Sequence, residues 1–158
     1  MKLLEENYQI NFSKINFLER KVKINNPKTI ICGPSKVGKS YLIFDFLGKF
    51  KSEEYLYLDF LDLRNKDIKD ELISLQEFIN KNSIRVLVLE NFNFQCEIPN
   101  CENIILTSQR NIDFETFERI NLYALDFEEY LLFDSKHQNI TQSFNSFLKY
   151  GNLSLSIN

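Results

Sequence analysis

The chain has no tryptophan, one histidine, three cysteines and only four glycines in 158 residues. Each scarcity excludes something. Cys32, Cys96 and Cys101 form an odd set without the C-x-x-C spacing of zinc or redox sites. Neither a disulfide framework nor a zinc module is expected, and a reducing cytoplasm suits such a chain. The single His137 lies in a polar stretch with no metal-ligand pattern around it and reads as a surface residue. No apolar run approaches the roughly 20 residues that span a bilayer. Charged residues interrupt the N-terminal MKLLEENYQINF, so neither a signal peptide nor a membrane partner is expected. A basic excess is also missing: the formal net charge is −3. Nucleic acid is therefore not indicated as a partner. The densest basic stretch, Arg20, Lys21 and Lys23, reads as solvated surface. With so few glycines, each is expected to serve a specific backbone need.

What is present is an ordinary globular composition, 44% hydrophobic and 26% charged, with enough chain for one core that needs no staples. Residues 1–27 read as an N-terminal extension whose apolar positions fit either a helix or two short strands, ended by the turn signal Asn25-Asn26-Pro27. A core over 28–135 follows, then a short C-terminal helical segment over 136–158 with a frayed end from Gly151. Within the core, short apolar runs at Thr29–Cys32, Tyr55–Asp59, Arg85–Leu89, Asn103–Thr107 and Ile120–Leu125 are predicted strands. Helical spacing over Lys39–Phe50, Ile68–Asn80, Phe127–Phe133 and Ile140–Tyr150 predicts helices. Strand–helix alternation implies an α/β fold of three layers with a mostly parallel five-stranded sheet.

Gly33-Pro34-Ser35-Lys36-Val37-Gly38-Lys39-Ser40 matches G-x-x-x-x-G-K-[ST] at every fixed position, between a predicted strand and a predicted helix. Such a loop wraps its N–H groups around an anion, and the following helix adds unpaired donors and partial positive charge. The ligand class is a nucleoside triphosphate, with ATP and magnesium as the expected pair. Lys39 is the expected partner of the β- and γ-phosphates, and the Ser40 hydroxyl the expected magnesium ligand. A second magnesium ligand is expected at a strand end. Glu90, directly after Val86-Leu87-Val88-Leu89, is the candidate, and Asp59 is its rival.

With these residues in place the chain resembles prokaryotic AAA-type P-loop ATPases of the additional-strand class, whose core precedes a C-terminal domain of unknown function. Tyr55–Asp59 is similar to the family's second strand. Arg119 to Tyr130 is similar to its Arg-led fifth strand and the Pro-Leu-Ser-Phe-x-Glu-Phe element after it. Phe144 to Gly151 is similar to a later Tyr-Gly segment. The resemblance spans about residues 28–151 and implies that the P-loop strand lies beside the strand ending at Thr107 and Ser108. It implies a γ-phosphate sensor at Thr107 or Ser108. Arg110 and Arg119 are the candidates to neutralise transition-state charge, in cis or from a neighbouring copy, and the resemblance favours Arg119. Three departures stand out. Asn91 occupies the place of the catalytic glutamate, and an amide can orient a water but cannot take its proton. Ala124 and Asp126 stand for the usual Pro and Ser. The chain ends where the further domain is expected, which suggests a core only.

The expectation is an AAA-like ATP-binding core with weak hydrolysis, working with a protein partner or as a homo-oligomer. A non-hydrolysing, nucleotide-dependent interaction module is the alternative. A small P-loop kinase is the third reading, disfavoured because Arg110 and Arg119 make a sparse lid.

Overall fold

Val86–Glu90 is buried at every position, which only a strand covered on both faces can be. A computed structural model shows how that covering is built. It describes residues 1–15, 19–93, 96–134 and 139–150. The elements run α1 (Lys2–Glu6), β1 (Lys28–Cys32), α2 (Lys39–Leu47), β2 (Tyr55–Asp59), α3 (Lys69–Leu72) and α4 (Leu75–Asn82). Then come β3 (Val86–Glu90), β4 (Asn103–Ser108), β5 (Glu118–Asn121), α5 (Phe127–Phe133) and α6 (Ile140–Tyr150). The five strands form one sheet in the order β2-β3-β4-β1-β5, and every pairing is parallel. β1 lies beside β4, as the family resemblance implies.

Alternation along each strand sends successive side chains to opposite faces. Ile31, Tyr55, Val86, Val88 and Ile105 pack with Leu42, Ile43, Phe46 and Leu47 of α2. Ile30, Leu56, Leu58, Leu87, Leu89, Ile104 and Leu106 pack with Leu72, Leu75, Phe78 and Ile79 of α3 and α4. The result is the three-layer α/β arrangement. The helix expected over 68–80 is divided by a turn at Ile73 and Ser74, which leaves Ile73 exposed. The helix expected to run to Phe50 ends at Leu47, before Gly48. The fifth strand begins earlier than expected and ends at Asn121, and the buried Leu122 and Leu125 follow it as loop.

Residues before the first strand are packed onto the core. Leu4 is fully buried in the α3–α4 layer. The N–H groups of Leu3 and Leu4 donate to the Glu71 carboxylate at 3.1 and 3.0 Å. Tyr8 bridges antiparallel to Leu56 on the outer edge of β2.

Arg20 corrects the reading of Arg20–Lys23 as solvated surface, because its guanidinium is buried. It donates to both oxygens of Glu129 (2.9 and 3.2 Å), to the carbonyl of Val37 (2.8 Å) and to that of Tyr123 (3.0 Å). Lys21 keeps an exposed pairing with Asp126 and Glu128. At the start of α5 the Asp126 carboxylate accepts from the Glu129 N–H (2.8 Å), and Glu129 accepts from the Asp126 N–H (3.2 Å), a reciprocal capping box. Aspartate caps a helix as well as serine does, so the departure at Asp126 preserves the local physics. Tyr130 donates to Ser146 (2.9 Å) and Phe127 meets Phe144 and Phe147, which docks α6 on α5. His137 and the chain from Gly151 onward lie outside the described residues.

Candidate functional site

Parallel strands present their C-terminal ends on one side, and ligands of open α/β sheets bind there. The P-loop leaves β1 at that edge. Gly33 has no room for a side chain: a Cβ would stand 2.4 Å from the Leu122 carbonyl oxygen. Gly38 has φ 95°, a conformation that favours glycine, and it starts α2. Lys36 also has positive φ, at 67°. Val37 is buried and pins the loop to the α2 layer. Lys39 folds back over the loop and donates to the carbonyls of Gly33 (2.7 Å) and Pro34 (2.6 Å). Burial lowers its pKa, an effect that the Glu90 carboxylate opposes.

The next residue in the first turn of α2, Ser40, lies against Glu90, and its hydroxyl donates to Glu90 Oε1. Glu90 is buried, and burial raises its pKa although Ser40 and Lys39 favour the carboxylate. Asp59 pairs with Glu90 across β2 and β3. Both continue the alternation that puts Tyr55 and Val88 on the α2 side, so strand parity aims two carboxylates at the P-loop side. Asn91 follows with φ 55°; asparagine tolerates this left-handed region better than most residues. Its side-chain amide donates to Asp59 Oδ1 (2.8 Å), and its backbone N–H donates to Thr107 Oγ1 (2.9 Å).

These groups share a cleft of about 400 Å³, lined by Ser35, Lys36, Gly38, Lys39, Ser40, Tyr41, Tyr57, Asp59, Leu61, Glu90, Asn91 and Gln109. Of the residues singled out from sequence, Gly33, Pro34 and Val37 shape the loop and the others named in it line the cleft. Thr107 is fully buried and holds the Asn91 backbone. Ser108 is also buried, and its Oγ accepts from the Arg110 N–H. Arg110 borders a smaller adjoining cleft with Asn91 and Gln109. Arg119 is not brought to the site by its own chain. It pairs with Ile30, so parity sends it to the α3–α4 side, where it meets Asp113 at 2.8 Å. Gln109 was missed in the sequence because nothing but its place after β4 marks it. It borders the main cleft, the smaller one with Arg110, and a third beside Gly33, Pro34 and Leu122.

A family model described as AAA domain matches residues 25–110. The match covers more than half of the chain and takes in the P-loop, Glu90 and Asn91. The chain belongs to the AAA domain family. At that level it is a nucleotide-binding, AAA-type ATPase-like core. No curated protein matches the chain. β5, α5 and α6 of this AAA domain protein, with Arg119, lie beyond the matched residues.

The donor set also fits the metal that such nucleotide sites use. Magnesium takes hard oxygen ligands and binds through one or two carboxylates together with phosphate oxygens and waters. Ser40 Oγ and Glu90 Oε1, already in contact, are oxygens of that kind. Among the described residues there is no group of three or more His, Cys, Asp or Glu that would hold a metal ion. A magnesium ion that arrives with its triphosphate needs no such cage. No helix among the described residues is long and apolar enough to cross a membrane.

Proposed function

We propose that the cleft binds ATP with magnesium and that the chain hydrolyses it slowly. The observation that carries this reading is the contact of Ser40 with Glu90 directly beside the loop that Lys39 spans. In this reading the loop N–H groups and the Lys39 ammonium hold the β- and γ-phosphates, exchanging loop carbonyls for phosphate oxygens. Ser40 and Glu90 hold the magnesium, whose chemistry is to neutralise phosphate charge. The burial of Lys39 strengthens its attraction for an anion. The three free thiols suit a reducing cytoplasm.

Titration of the chain with ATP, with and without magnesium and beside Lys39→Ala, tests the reading. Magnesium-dependent binding that the variant loses is the expected result. Equal binding by a folded Lys39→Ala would refute it.

A second reading has its own support. Asn91 cannot serve as a base, and its amide is engaged with Asp59. A module in which ATP only stabilises one shape for a protein partner, or for another copy of the chain, would need no more than this.

A further inference from the structure

Resting on the proposed Mg-ATP site, we infer that Asp59 is the group that takes the proton of the attacking water, and that Asn91 positions it. Among the described residues only two carboxylates line the cleft, Asp59 and Glu90. They are in register on adjacent parallel strands and on the same face of the sheet. Their partners differ. Glu90 Oε1 accepts from Ser40, the pairing that a metal ligand needs. Asp59 instead accepts from Asn91 Nδ2 (2.8 Å) and from the Leu61 N–H (2.9 Å), both on Oδ1. That pair of donors fixes the carboxylate plane and leaves Oδ2 as the oxygen for a water proton.

The strand end behind Asp59 is held as well. Its carbonyl accepts from the buried Asn65 side chain (3.0 Å), which accepts in turn from Asn7 Nδ2 (2.7 Å). A base must be held within hydrogen-bond reach of its proton, and this support supplies the rigidity. The acid absent from position 91 is thus supplied from the neighbouring strand, and the amide at 91 orients it. In the step, the water oxygen bonds to the γ-phosphorus as the bond from that phosphorus to the β,γ-bridging oxygen breaks. ADP leaves with the electron pair on that oxygen. The water proton passes to Asp59 Oδ2 and then to solvent, so ATP and water give ADP, phosphate and one proton.

The test compares the full chain with Asp59→Asn and Lys39→Ala, measuring ATP affinity, turnover and the identity of the bound nucleotide after incubation with magnesium. Asp59→Asn keeps an acceptor for Leu61 and is expected to bind ATP as the wild type does. Its turnover should fall by about 10²–10⁴-fold, the range for loss of a general base, and the bound nucleotide should stay a triphosphate. Should that variant fail to fold, Asp59→Ser, which keeps an oxygen for the Leu61 N–H, takes its place with the same expectation. Wild-type turnover in a folded Asp59 variant, where Lys39→Ala is inactive, overturns the assignment. So does a wild type that binds ATP without turning it over, although the binding site then stands. Absence of ATP binding in the wild type removes the site and the assignment together.

Discussion

Arg20 and Glu129, 109 residues apart in sequence, meet as a two-point ion pair in which the side chains are only 4% and 5% exposed. The same guanidinium holds the Val37 carbonyl of the P-loop, and Glu129 belongs to the capping box of α5. One buried cation therefore joins the N-terminal segment, the phosphate loop and the first C-terminal helix. Removing one partner leaves the other charge buried and unpaired, at a cost of about 3–5 kcal/mol. Arg20→Ala is expected to lose stability of that order in urea unfolding. A midpoint within error of wild type would mean that the pair contributes nothing.

Acid should act through the same pair. Burial pushes the Glu129 carboxyl up, but Arg20 and the N–H groups of Lys21 and Asp126 outweigh it and hold the pKa below the usual value. The stabilisation is therefore present above the ordinary glutamate pKa of about 4.3 and is lost as pH falls through the lower folded value. Arg20→Ala should flatten that part of the pH–stability curve. An unchanged slope would rule this pair out as its source.

Glu90 has the opposite sign. Burial raises its pKa, so the stability it contributes is fully present below the ordinary glutamate pKa and is lost as pH rises through the folded value. Without metal, Glu90→Gln is expected to be more stable than wild type at neutral pH, with the difference closing in acid. The variant should also lose the magnesium dependence of ATP binding. Calorimetric melts across pH, paired with ATP titrations, check both parts. A less stable Glu90→Gln would show that the carboxylate is not penalised by burial.

Much of this site was legible in the sequence, and the reasons are local. The loop Gly33–Ser40 carries its own geometry in two glycines, a lysine and a serine, and the apolar run before Glu90 marks a central strand. Arg20 was misread because its burial depends on Glu129, whose approach only the fold dictates. Arg119 was favoured by the family resemblance, as the residue leading the fifth strand; register with Ile30, which no local pattern states, puts it on the far face of its own sheet. The link between Asn91 and Asp59 arises from two adjacent strands whose order no local pattern states.

Position 91 supplies a further test. Asn91 has φ 55°, and left-handed geometry costs most non-glycine residues about 1–2 kcal/mol. Asn91→Glu is expected to lose stability of this order and to leave turnover no higher, since it replaces the donor to Asp59 with a second carboxylate. Steady-state assays beside thermal melts check it. A clear gain in turnover would show that the missing acid, not the orientation of Asp59, limits the rate.

The most direct measurement is the affinity for ATP with magnesium of the wild-type chain and of Lys39→Ala, by calorimetric titration. Loss of one charge-assisted contact should weaken binding by about 1.5–3 kcal/mol, or about ten- to hundredfold, in a variant that melts like the wild type. Equal affinity in the two folded proteins would contradict the assignment of this loop as the phosphate site.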